Sequence, residues 1–232
     1  MIVLNFKAYK EASGKKSLKL AKIAEEISKK YKIDIFVAPQ FLDIPLLVKN
    51  VDIPIIAQHV DDVEEGRFTG SVSFNSLKEY GVYGSLINHS EKKVSIEKIE
   101  RIIKISKKYG IKIFALASDL KEAENIARLS PYSLSYEPPE LIATGKAVSK
   151  YKAESLKEFV KLVERINPKI VKLCGAGITN EEDVKAALDF GTQGVLIASA
   201  FVFANNKRKF LEKIAKVFIW VQKPSNPYHL LF

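Results

Sequence analysis

Short runs of β-branched and aromatic residues recur along the whole chain, and the segments between them carry apolar residues at helical spacing. The runs fall at residues 2–7, 34–38, 55–58, 85–87, 111–116, 133–136, 170–174 and 194–197, which makes eight candidate strands. Between them, Leu20, Ile23, Ala24, Ile27 and Tyr31 form one apolar stripe, Ile96, Ile99 and Ile103 a second, and Leu156, Phe159, Val160 and Val163 a third. Each stripe covers one face of a helix with a period near 3.6 residues. Thr179 followed three residues later by Glu182 reads as a capping box. Gly110 and Gly191 stand where a left-handed helix end is expected. Strict alternation of strand and helix predicts parallel strands joined by right-handed crossovers. Eight such units with no linker favour one closed (β/α)8 barrel spanning residues 1–232. Periodicity does not itself decide closure. A glycine-rich turn after the first strand would favour an open nucleotide-binding sheet, but that position reads Asn5-Phe6-Lys7-Ala8-Tyr9.

Composition narrows the choices. The chain has 232 residues and 47% hydrophobic residues, enough for one such barrel, although length alone also permits two smaller domains. No apolar run reaches membrane-spanning length, so no membrane partner is expected. The apolar start, Met1-Ile2-Val3-Leu4, lacks a basic region and a cleavage site and reads as a strand, not a signal peptide. A single cysteine, Cys174, excludes an internal disulfide framework and fits a reducing cytoplasm. The net charge of +10 suits either a nucleic-acid partner or a small anionic substrate. The excess lies in dispersed lysine pairs such as Lys29-Lys30 and Lys107-Lys108, typical of solvated helix faces, and no nucleic acid is expected.

In a (β/α)8 barrel, functional groups sit at the C-terminal ends of the strands. The first strand ends in Asn5 and Lys7, the fourth leads into Asn88, His89, Ser90 and Glu91, and the sixth into Glu137. The seventh leads into Gly175-Ala176-Gly177 and the eighth into Ala198-Ser199-Ala200. A carboxylate facing a partly dry mouth has a raised pKa and can take a proton from carbon. An isolated Glu-Pro pair, however, is most often a solvated loop carboxylate. His89 suits polarising a carbonyl or an ordinary structural role, and Lys7 suits holding an anion or a plain surface charge. The glycine turn before a capped helix offers free backbone N–H groups to phosphate, a signal of ligand class rather than of reaction. No clustered Cys/His set suggests a metal, and no cofactor is expected.

Taken in order, Asn5-Phe6-Lys7, Asn88-His89-Ser90-Glu91, Tyr136-Glu137-Pro138-Pro139-Glu140-Leu141-Ile142-Ala143-Thr144-Gly145, Cys174-Gly175-Ala176-Gly177 and Leu196-Ile197-Ala198-Ser199 resemble the triosephosphate isomerases, specifically their short archaeal-type branch. The resemblance implies a TIM barrel that acts on a phosphorylated triose in glycolysis and gluconeogenesis, without cofactor, as a homotetramer. It implies that Glu137 shuttles the proton, that His89 is a neutral electrophile, and that Lys7 holds the substrate with Asn5 beside it. That division of labour is the standard example of a base, a neutral histidine and a closing loop. Glu91 would order Lys7 and His89, the segment 138–145 would be a lid, and backbone at Ile142, Ala143, Gly177, Ala198 and Ser199 would grip the phosphate. The chain departs from the family at Ala143 and Ala200, where glycine is usual, and at Lys92 and Lys93, where arginine is common. The tail at residues 219–232 matches nothing in the family. Two other functions fit parts of the pattern: an indole-glycerol-phosphate synthase-like lyase, or a non-catalytic barrel binding an anionic partner.

Overall fold

The computed structural model describes residues 1–138 and 153–221. Eight strands form one parallel sheet: β1 (Ile2–Asn5), β2 (Ile35–Ala38), β3 (Ile56–Ala57), β4 (Gly84–Ile87), β5 (Lys112–Ala117), β6 (Ser133–Tyr136), β7 (Val171–Cys174) and β8 (Gly194–Ile197). Their hydrogen-bonded order is β2-β1-β8-β7-β6-β5-β4-β3. The seam between β2 and β3 is closed by a bridge between Val37 and Ile55 and by the Val37 N–H donating to the Pro54 carbonyl at 3.1 Å. The barrel is therefore continuous, and every expected strand is present to within a residue or two.

Both faces of these strands are covered, which is why they read as near-continuous apolar runs. One set of side chains fills the barrel interior: Val3, Phe36, Ile56, Leu86, Phe114, Leu116, Leu173 and Leu196. The alternate set packs outward against helices α1 (Lys15–Tyr31), α2 (Ile44–Val48), α3 (Phe74–Glu79), α4 (Ile96–Tyr109), α5 (Leu120–Arg128), α6 (Ala153–Ile166), α7 (Glu181–Asp189), α8 (Ser199–Val202) and α9 (Lys207–Val221). The expected stripes are the buried ones. Leu20, Ala24 and Ile27 are buried in α1, Ile99 and Ile103 in α4, and Leu156, Phe159 and Val163 in α6. Strand β6 breaks the apolar interior. Ser133 and Ser135 occupy its inward positions, with Ser135 in register with Leu116 and Leu173.

Helix ends follow local chemistry, with one correction. Ser95 caps α4, Asp119 caps α5, and Gly110 closes α4 at φ 72°. Gly191 follows α7 at φ 93°. The cap of α7 is not Thr179 but Asn180, whose side chain accepts from the Asp183 N–H at 3.0 Å. Asp183, rather than Glu182, reaches back, accepting from the Thr179 N–H at 2.9 Å and the Thr179 hydroxyl at 2.7 Å. The motif is displaced by one residue because Asn and Asp fill these positions as well as Thr and Glu do. The first residues of the 219–232 tail continue α9, with Lys185 lying over the Trp220 ring at 5.0 Å; the remainder falls outside the described residues.

Candidate active site

The C-terminal mouth of the barrel is built first by two strained turns. Lys7 follows β1 at φ 46°, a left-handed conformation uncommon outside glycine. Two side chains hold it there: Asn5 accepts from the Lys7 N–H through Oδ1 at 2.9 Å, and Gln58 donates from Nε2 to the carbonyls of Lys7 and Ala38, both at 3.0 Å. The Lys7 ammonium is aimed by Glu91, whose Oε1 lies 2.6 Å from Nζ.

The second turn follows β4. Asn88 has φ 63° and closes the loop 88–94 upon itself, since its Oδ1 accepts from the Val94 N–H at 3.1 Å. Its Nδ2 donates to the Leu116 carbonyl at 2.9 Å and to Glu122 Oε1 at 2.7 Å. Lys93 donates to the same Glu122 carboxylate and to the Ser118 hydroxyl, each at 2.7 Å. Where the family often carries arginine, this lysine thus has a full set of acceptors.

Within that loop sits His89, buried, with the Glu91 N–H donating to its Nδ1 at 3.1 Å. A backbone N–H can only donate, so Nδ1 is the acceptor and the ring proton resides on Nε2. Burial, and then the Lys7 ammonium, push the His89 pKa down to about 4. The ring is therefore neutral at ordinary pH and presents an N–H to the mouth.

Glu137 follows β6, its N–H bound to the Ala117 carbonyl at 2.8 Å. It is 3% exposed, and neither carboxylate oxygen has a hydrogen-bond partner among the described residues. Its Oε2 stands 3.7 Å from His89 Nε2, too far for a hydrogen bond. Burial raises its pKa to about 8 against the partial opposition of Lys7. The side chain rests in the space left by Gly175: a Cβ there would lie 2.3 Å from Glu137 Oε1 and 2.5 Å from Cγ.

Opposite these groups, β7 runs into Gly177 at φ 70° and then α7, while β8 runs into the single-turn α8. The first N–H groups of a helix have no intrahelical partner, and in barrels of this kind a short helix after β8 commonly receives phosphate. A cavity of about 370 Å³ joins both sides, lined among others by Lys7, His89, Glu137, Gly177, Ala198 and Ser199. That volume lies within the range of small-ligand sites. Ala200 lies inside α8, outside the set of left-handed residues, and packs on the core. Its Cβ therefore strains nothing.

Lys7, His89, Glu137, Gly177, Ala198 and Ser199 are brought to one cavity, with Asn5 and Glu91 behind Lys7. Ile142, Ala143 and most of the expected lid lie outside the described residues. The sequence reading overlooked Gln58, Asn88 as a side chain, Glu122 and the packing role of Gly175. Gln58 and Asn88 carried a local signal, each being a polar residue at the end of a predicted strand, and Gly175 stood in the glycine turn, whereas Glu122 carried none. Among the described residues no group of His, Cys, Asp or Glu is placed to hold a metal, and no helix is long and apolar enough to cross a membrane.

A closed eight-stranded barrel with a buried carboxylate, a neutral imidazole and a fixed ammonium around a cavity of small-ligand size defines the class: a (β/α)8-barrel enzyme. A sequence model described as triosephosphate isomerase matches residues 1–217, and the chain belongs to the triosephosphate isomerase family. It is 44% identical to the triosephosphate isomerase of Methanothermus fervidus over 92% of this chain and 96% of the relative. The corresponding protein of Methanocaldococcus jannaschii is 43% identical over 93% of this chain and 99% of its own length. That of Pyrobaculum calidifontis is 40% identical over 97% and 98%. These similarities extend over the barrel as a whole and do not favour the lyase or the non-catalytic alternative.

Proposed function

We propose that this chain interconverts dihydroxyacetone phosphate and D-glyceraldehyde 3-phosphate, with Glu137 as the base that carries the proton between adjacent carbons. The observation that supports this most is the pairing of a buried, unpartnered carboxylate with a neutral imidazole whose Nε2–H faces the same cavity. Glu137 takes the proton from the carbon next to the carbonyl. His89 Nε2–H and the Lys7 ammonium meet the oxygens as negative charge develops, and the enediolate forms between them. Glu137 then returns the proton to the neighbouring carbon while the hydroxyl proton passes from one oxygen to the other beside His89, so the reaction consumes nothing and needs no metal or organic cofactor. Backbone at Gly177, Ala198 and Ser199, joined by Ile142 and Ala143, would grip the phosphate, and segment 138–145 would exclude water from an intermediate prone to lose phosphate.

Glu137→Gln keeps the shape and removes the base. Turnover in a coupled assay is expected to fall by roughly 10²–10⁴-fold with circular dichroism unchanged; near wild-type turnover would overturn the assignment. The single, buried Cys174 supports a reducing cytoplasm as the site of action.

A further inference from the structure

The inward-facing cluster of the barrel is apolar, but β6 contributes serines to it. Ser135 lies in the same layer as Leu116 and Leu173, is 1% exposed, and its hydroxyl has no partner among the described residues. It sits two residues before Glu137, and alternate residues along an extended chain share a face, so the hydroxyl and the carboxylate lie on the same side of the chain. The missing Cβ of Gly175 marks where they converge. A carbon there would be 2.4 Å from Ser135 Oγ and 2.3 Å from Glu137 Oε1. Two buried polar groups, neither with a hydrogen-bond partner among the described residues, thus crowd one vacant spot.

We propose that Ser135 is a positioning residue for the base, its hydroxyl donating to the ionised Glu137 carboxylate and holding it retracted over Gly175. The contact satisfies two buried groups at once, as native interiors require. The other charged and titratable groups facing Glu137 are Lys7, His89, Glu91 and Lys93. Lys7 is engaged by Glu91 and Lys93 by Glu122, and His89 stands too far for a hydrogen bond. Ser135 is the donor on the dry side, below the carboxylate, where substrate never reaches. A hydroxyl suits that place. It favours the charged form of the base, yet a single neutral donor releases the carboxylate when it advances to the substrate carbon, which an ammonium would resist.

This inference rests on the reading of Glu137 as the base, and its test separates the two. Ser135→Ala removes the hydroxyl and adds no bulk. The acid limb of kcat/KM should move upward by about one pH unit, because the charged form of Glu137 loses a donor. The carboxyl-carbon NMR titration of Glu137 in the free enzyme should move with it, while KM on the alkaline plateau stays put. In a Glu137→Gln background, Ser135→Ala should have no further effect on residual turnover. A limb and a titration left in place by Ser135→Ala, with or without a change in melting temperature, would overturn the positioning role alone. Activity surviving Glu137→Gln would instead defeat the base assignment, and the NMR titration would still decide whether the serine sets the state of the carboxylate.

Discussion

Glu137 costs the fold stability and serves the reaction for one physical reason: its carboxylate is buried, with neither a cation nor a backbone N–H bound to it among the described residues. The native state keeps the group protonated up to about pH 8, whereas its ordinary value is 4.5. Between those values the unfolded chain releases a proton that the folded chain retains, so stability declines as pH rises through this window. Glu137→Gln, permanently neutral, escapes that loss. Its melting temperature should match the parent near pH 4 and exceed it above pH 8, by a difference on the order of 5 kcal/mol in unfolding free energy. Equal pH profiles of melting would show that the carboxylate is not desolvated in the folded state. Lys7 opposes the same shift from outside, since its ammonium favours the charged form of Glu137. Lys7→Ala should therefore raise the acid limb of kcat/KM further and weaken a phosphorylated transition-state mimic. Isothermal titration with unchanged affinity, or a limb that stays in place, would remove Lys7 from the site.

At the scale of elements, the working parts hang on connections between neighbouring strand ends. The loop 88–94 presents His89 only because Asn88 is held at positive φ by Leu116 and Glu122, which belong to the next βα unit. Glu122→Gln keeps the size but removes the charge that gathers Asn88, Lys93 and Ser118. We expect kcat to fall several-fold through a less ordered His89, with KM for substrate little changed and the fold retained; unaltered kcat would show that the loop orders itself. The α7 cap makes the complementary point. Periodicity located this helix from sequence, yet its first turn depends on which of several interchangeable polar residues meets which N–H. Thr179 with Glu182 and Asn180 with Asp183 satisfy the same rule, and only the three-dimensional path of the chain out of β7 selects the latter.

Over the whole molecule, two features face outward and suggest more than one chain. Leu42 is 93% exposed, and its neighbour Phe41 flanks a surface groove with Tyr80. The family resemblance implies a homotetramer, and we propose that these exposed apolar residues lie on its contacts, since exposed apolar clusters commonly mark protein contacts. Light scattering on the eluted protein should give four times the 26.0 kDa chain mass, and Leu42→Lys should lower it if this face is buried between copies. A monomer at micromolar concentration would dismiss the assembly.

By itself the sequence determined the strands, the helices, their alternation and the residues at the strand ends, because those depend on periodicity and on neighbours close along the chain. It also placed Lys7, His89 and Glu137 at the ends of their strands. Tertiary structure decided what those residues are. Closure needed the Val37–Ile55 seam, a contact between strands that sequence pattern leaves open. The state of His89 and Glu137 came from desolvation by elements distant in sequence, and from a Glu91 N–H that settles the tautomer. Gln58 and Glu122 act across strand ends, and Ser135 and Gly175 matter through the space they leave. Burial, field and vacancy are properties of the assembled barrel, and no local window of sequence contains them.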